Sequence, residues 1–123
     1  MDQRKVNVLA REYCDDIGKK DKPIVISHHM MMGLKEGQEK MSKSDPDSAI
    51  FMEDSAIDVE RKIKKCYCPE KIVQNNPVMD YLKYMIFERF DSLTVKNPNG
   101  GEVTYTSYKD LEADYIQGAL HPS

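Results

Sequence analysis

The seven residues Lys40-Met41-Ser42-Lys43-Ser44-Asp45-Pro46 follow neither a helical nor a strand period, so regular structure must break there. Gly33 and Gly37 lie just ahead, and Asp45-Pro46 stops any element from running on. Two lysines three residues apart, with small hydroxyl residues between and after them, suit a ligand rich in phosphate oxygens. Lysine is a compact charge on a flexible stem, and serine lets a backbone come close to what it binds. A loop so equipped can close on a polyphosphate as negative charge develops. A solvated surface loop has the same composition, so these residues alone leave both readings open.

What precedes the loop reads as one α/β crossover. Residues 2–17 form an amphipathic helix, with Val6, Leu9, Ala10, Tyr13 and Ile17 on one face and Gly18 as its left-handed terminator. Ile24-Val25-Ile26 is continuously apolar and β-branched, the pattern of a strand buried on both faces of a parallel sheet. In such a fold the ligand loop lies beyond the strand's carboxyl end. Three adjacent methionines, Met30 to Met32, also fit irregular core space.

Beyond the loop the pattern is mainly helical. Ser55 with Asp58 makes a capping pair for a helix whose apolar side is Val59, Ile63 and Cys66 or Tyr67. Arg61, Lys62, Lys64 and Lys65 crowd that helix toward its C-terminus, either as a solvated cationic end or as a contact for a nucleic-acid backbone. Asn76-Pro77 starts a helix that is apolar on nearly all sides through Phe90, the pattern of a buried one. Leu93-Thr94-Val95 and Val103-Thr104-Tyr105 flank Asn97-Pro98-Asn99-Gly100-Gly101 as a β-hairpin. Ser107 with Asp110 opens a last helix, buried through Tyr108, Leu111, Tyr115 and Ile116 and ended by Gly118.

A net charge of −3 over 123 residues gives no global basic field, so any nucleic-acid contact must be a local patch. Cys14, Cys66 and Cys68 are an odd set without disulfide logic, and Cys66-Tyr67-Cys68 lacks the further ligands that zinc requires; buried free thiols are the expectation. No apolar run reaches the length of a membrane span and the N-terminus carries no signal-peptide pattern, which points to a cytoplasmic protein with no membrane partner.

Lys40-Met41-Ser42-Lys43-Ser44 resembles the second signature of class I aminoacyl-tRNA synthetases. Its flanks, Ile26-Ser27-His28-His29-Met30-Met31-Met32-Gly33-Leu34 and Ser48-Ala49-Ile50-Phe51-Met52-Glu53-Asp54, are similar to tyrosyl-tRNA synthetases of the eukaryotic and archaeal type. The resemblance implies an α/β fold. It would be the second half of a Rossmann-like nucleotide-binding domain over residues 1–54, with helix, buried strand and signature loop. An incomplete, mainly α-helical anticodon-binding domain with a β-hairpin would follow over residues 55–123. It implies that Lys40 and Lys43 are catalytic, stabilising the departing pyrophosphate, and that Met30, Met31, Met41, Ser42 and Ser44 bind ATP. Asp2 and Gln3 match the Asp-Gln of a family Gly-x-Asp-Gln string that meets the adenylate ribose and the amino-acid carboxylate, although the glycine is missing here; Asp2 also reads as an N-cap.

The reaction implied is ATP-dependent attachment of L-tyrosine to tRNA(Tyr) through tyrosyl-adenylate, with Mg2+ entering as the ATP complex and a homodimer as the working enzyme. The family's first signature, His-Ile-Gly-His, is absent, so this chain is expected to be inactive alone. Three rival readings stand beside it. A tryptophanyl-tRNA synthetase has a similar loop, but follows Asp-Gln with an acid and a proline where Arg4-Lys5 stand here. A truncated, non-catalytic relative would bind tRNA or a protein partner. An unrelated small α/β domain would carry the string by chance.

Overall fold

The computed structural model describes residues 3–97 and 100–122. The chain divides into two units, Met1–Met30 and Met31–Ser123. The first is a single helix, α1 (Arg4–Asp16), and the segment that follows it. Gly18 takes the left-handed conformation at φ 67°, as its position after the helix requires. The returning segment is tied back by Arg11, whose Nη1 donates to the Pro23 carbonyl at 2.5 Å, and by a 2.6 Å pair between Lys22 and Asp15. Asp2, read as a cap or a ribose contact, lies outside the described residues.

One expectation fails in this unit. Ile24-Val25-Ile26 forms no strand, and Ile24 and Ile26 are 89% and 87% exposed. A parallel strand exists only through its neighbours, and among the described residues the sole ladder is the distant hairpin. The apolar face of α1 is exposed as well at Val6, Leu9, Tyr13 and Ile17, while Cys14 is the residue that is buried.

The second unit holds the regular core. Helix α2 (Ala56–Lys64) opens with the capping box: Ser55 Oγ accepts from the Asp58 amide and Asp58 Oδ2 accepts from the Ser55 amide. Helix α3 (Pro77–Tyr81) opens on Asn76, whose Oδ1 accepts from the amides of Val78 and Met79. A π turn over Leu82–Ile86 carries it into α4 (Phe87–Arg89). Strands β1 (Leu93–Asn97) and β2 (Gly101–Tyr105) pair antiparallel, from Leu93 opposite Tyr105 to Asn97 opposite Gly101. Pro98 and Asn99 of the intervening turn lie outside the described residues. Helix α5 (Tyr108–Gln117) begins with the Ser107 hydroxyl accepting from the Asp110 amide and ends at Gly118, φ 85°.

Met79, Tyr105, Leu111 and Tyr115 form the buried centre, flanked by Leu82, Phe87, Leu93 and Val95. Phe87 meets Tyr108 edge-on, with centroids 6.3 Å apart. The helix after Asn76 is therefore buried on one side only. Tyr84, Met85 and Phe90 face solvent, because β1, β2 and α5 supply partners for the Met79–Leu82–Phe87 side alone. Ile116, assigned to the buried face of α5, is also exposed. Among the described residues no helix is long and apolar enough to cross a membrane.

Candidate functional site

The loop is closed at its base by Leu34 and Ser48. The Leu34 amide donates to the Ser48 carbonyl at 2.9 Å, and the Leu34 carbonyl accepts from the Tyr67 amide at 2.8 Å. Leu34 and Ser48 are both fully buried. Ser48 also holds the loop from inside. Its hydroxyl accepts from the Ser42 amide at 3.3 Å, and its proton lies between the carbonyls of Asp45 (2.7 Å) and Ser42 (3.1 Å). One small side chain thus satisfies backbone groups that an irregular segment would otherwise bury unpaired.

Around that centre polar side chains of the loop pair with one another. Ser42 and Ser44 hydroxyls are 2.8 Å apart, and Lys35 pairs with Asp45 at 2.5 Å. Gly37 turns at φ 68°, which a side chain rarely adopts. Lys40 and Lys43 are exposed, whereas Met41 and Ser42 are half-buried. The loop therefore presents its cations outward from a backbone pinned beneath them.

The segment after the loop is gripped by α2. Arg61 pairs with Asp47 at 2.9 Å, and the guanidinium holds the Asp47 carboxyl below the usual carboxylate range. Lys62 is the one buried charged residue among those described. Its ammonium donates to the Ala49 carbonyl at 2.9 Å and to Asp54 Oδ2 at 2.5 Å, and it stands 4.7 Å from the Phe51 ring centroid. Asp54 also accepts from the Phe51 amide at 2.8 Å, and these two bonds, Lys62 first, depress its pKa. The cationic cluster read as a solvated helix end or a backbone contact is therefore split: Arg61 and Lys62 turn toward residues 47–54, and Lys64 pairs with Glu60.

Of the remaining candidates, Gln3 and Met30 line one cavity of about 530 Å³ in the first unit, together with Asn7 and His28. Met31 is half-buried in the second unit. Met32 is held there by its peptide, the amide donating to Asp80 Oδ2 at 3.2 Å and the carbonyl accepting from the Tyr81 hydroxyl at 2.9 Å. Burial pushes the Tyr81 phenol up to about 12. Cys66 and Cys68 are half-buried rather than buried, and burial raises the Cys66 thiol to about 11, which keeps it protonated. Sequence reasoning missed Ser48 and Lys62. The first looks like any serine after an Asp-Pro turn, and the second is indistinguishable by type from its exposed neighbours.

This chain belongs to the class I tRNA synthetases: the family described as tRNA synthetases class I (W and Y) matches residues 1–123. Within it, the relatives are tyrosine–tRNA ligases. Cytoplasmic tyrosine–tRNA ligase 1 of Arabidopsis thaliana is 62% identical, over 99% of this chain and 32% of its own length. The tyrosine–tRNA ligase of Saccharolobus solfataricus is 41% identical, over 98% of this chain and 38% of its own. Among solved structures, the Leishmania major tyrosyl-tRNA synthetase in complex with tyrosinol is 47% identical with a TM-score of 0.78, covering 98% of this chain and 24% of that one. The Pyrococcus horikoshii tyrosyl-tRNA synthetase complexed with L-tyrosine is 38% identical with a TM-score of 0.85, covering 99% and 40%. The chain spans 32% and 38% of the lengths of these two curated relatives. The resemblance to tyrosyl-tRNA synthetases holds over its full length.

Proposed function

We propose that this chain is the signature-loop portion of an enzyme that joins L-tyrosine to tRNA(Tyr) through tyrosyl-adenylate. ATP is the co-substrate, entering as its Mg2+ complex. Tyrosine's carboxylate attacks the α-phosphorus, and the terminal ribose of the tRNA then takes the tyrosyl group. The observation that carries the reading is the loop itself: two exposed ammonium groups, Lys40 and Lys43, on a backbone pinned by Ser48. Charge gathers on pyrophosphate as it leaves, so cations that meet it lower the barrier more than they tighten ground-state binding. Met41, Ser42 and Ser44 would approach the phosphates through the backbone, Met30 and Met31 would line the adenine side, and Asp2 and Gln3 would face the adenylate.

Residues 1–54 would then belong to the nucleotide-binding Rossmann-like domain and residues 55–123 to the start of the anticodon-binding part. The exposed face of α1 and the unpaired Ile24–Ile26 run support a chain that works within a longer protein. The enzyme is read as a cytoplasmic homodimer, in line with the cytoplasmic relative from Arabidopsis. Tyrosine is favoured over tryptophan because the relatives described above are named for tyrosine.

The test is tyrosine-dependent ATP–pyrophosphate exchange by the longer protein that carries this chain. Lys43→Ala should lower kcat by about 10²–10³-fold, the usual loss for one donor to a developing anion, with little change in the KM for tyrosine. An exchange rate untouched by that substitution removes the role. Exchange with tryptophan instead of tyrosine moves the assignment to the other branch of the family.

A further inference from the structure

The residues that fix the downstream end of the loop come from α2, on the far side of the 54/55 division assigned above. Lysine is rarely buried without a partner, because desolvating an ammonium is costly unless its donors are satisfied. The side chain of Lys62 is 3% exposed, and the groups its ammonium meets lie in one six-residue stretch: the Ala49 carbonyl, the Phe51 ring and the Asp54 carboxylate. Ala49 is bonded to Ser48, and Ser48 holds both the amide and the carbonyl of Ser42 between the two signature lysines. A short path of direct bonds therefore runs from a helix to the centre of the loop.

We infer that Lys62 and Asp54 are positioning residues that hold residues 48–54 still, so that loop closure is confined to the lysine-bearing stretch ahead of Ser48. The inference rests on the reading of that stretch as a phosphate-binding loop. With its downstream end fixed, closure carries Lys40 and Lys43 to the same place each time; with that end freed, the loop samples many placements and few of them are productive. A lysine that only packs α2 would contribute to stability and leave the kinetics of the folded enzyme alone.

The experiment uses the longer protein with Lys62→Met, unbranched and uncharged but one atom shorter, and the milder Asp54→Asn, which keeps a neutral acceptor for Lys62. Limited trypsin digestion reads the loop without any catalysis. Cleavage after Lys40 and Lys43 should quicken about tenfold in both variants, while cleavage after Lys109 in α5 stays at the wild-type rate. In pyrophosphate exchange, kcat should fall at least about tenfold with the KM for tyrosine within twofold of wild type. Folded variants with wild-type cleavage and wild-type kcat overturn the inference, as does quickened cleavage after Lys109, which would report general loosening. If Lys62→Met does not fold, Asp54→Asn alone decides between these outcomes. A wild-type protein inactive in exchange, but with loop cleavage quickened in the variants, overturns the synthetase reading and supports the anchoring.

Discussion

Asp54 accepts from the Lys62 ammonium and from the Phe51 amide, and both bonds favour its ionised form. Its folded pKa is therefore depressed, and the stability it contributes is present above its unfolded value and lost as pH falls through the folded one. Asp47 and Asp58 are depressed too, by the Arg61 guanidinium and by the Ser55 hydroxyl respectively. Melting temperature should thus hold steady from neutral pH down to about pH 4 and drop below it. Asp54→Asn should melt lower at pH 7 and lose part of that acid dependence, as followed by circular dichroism; an unchanged acid limb would assign it to Asp47 and Asp58. Apart from the Ser55–Asp58 pair, none of this was legible from residue types. Lys62 sits among Arg61, Lys64 and Lys65, and only the three-dimensional path of residues 47–54 picks it out for burial.

Element by element, legibility followed the range of the forces involved. Ser55 with Asp58, Asn76 with Pro77, and Ser107 with Asp110 and Gly118 mark helix ends through bonds within a few residues, and all of those ends stand where the sequence put them. The hairpin was equally readable, since its register follows from two short runs and a glycine turn. Ile24–Ile26 was not, because a strand's existence depends on chains beside it. The π turn at Leu82–Ile86, just ahead of the Phe87 that meets Tyr108 edge-on, was invisible as well, because no local residue pattern announces it. Asn76 shows how much one cap can carry. Besides accepting from two amides of α3, it donates to the Ile72 carbonyl at 2.9 Å and to the Tyr115 hydroxyl at 3.3 Å, while itself 1% exposed. Asn76→Ala should destabilise by about 2 kcal/mol or more, since the cap is lost and buried partners are left unsatisfied. Urea titration gives that value directly, and a loss below about 0.5 kcal/mol would mean that other groups take over its bonds.

At the scale of the whole molecule, apolar surface is unevenly spent. The second unit encloses Met79, Tyr105, Leu111 and Tyr115, while α1 in the first leaves Val6, Leu9, Tyr13 and Ile17 in water. A 123-residue polypeptide of this sequence should give no tyrosine-dependent pyrophosphate exchange, whereas the longer protein should; measurable exchange by the short form would show that the site is complete within it. The candidate lysines were readable as a string, but the means of holding them was not, because Ser48 and Lys62 act through contacts that no period encodes. One further contact links distant parts of the sequence. Asp80 and Tyr81 grasp both polar groups of a single peptide, that of Met32, almost fifty residues earlier. Tilting of α3 would carry that peptide with it, so an isotope-labelled methyl on Met32 would act as a spectroscopic gauge of the helix from a site far away in the sequence.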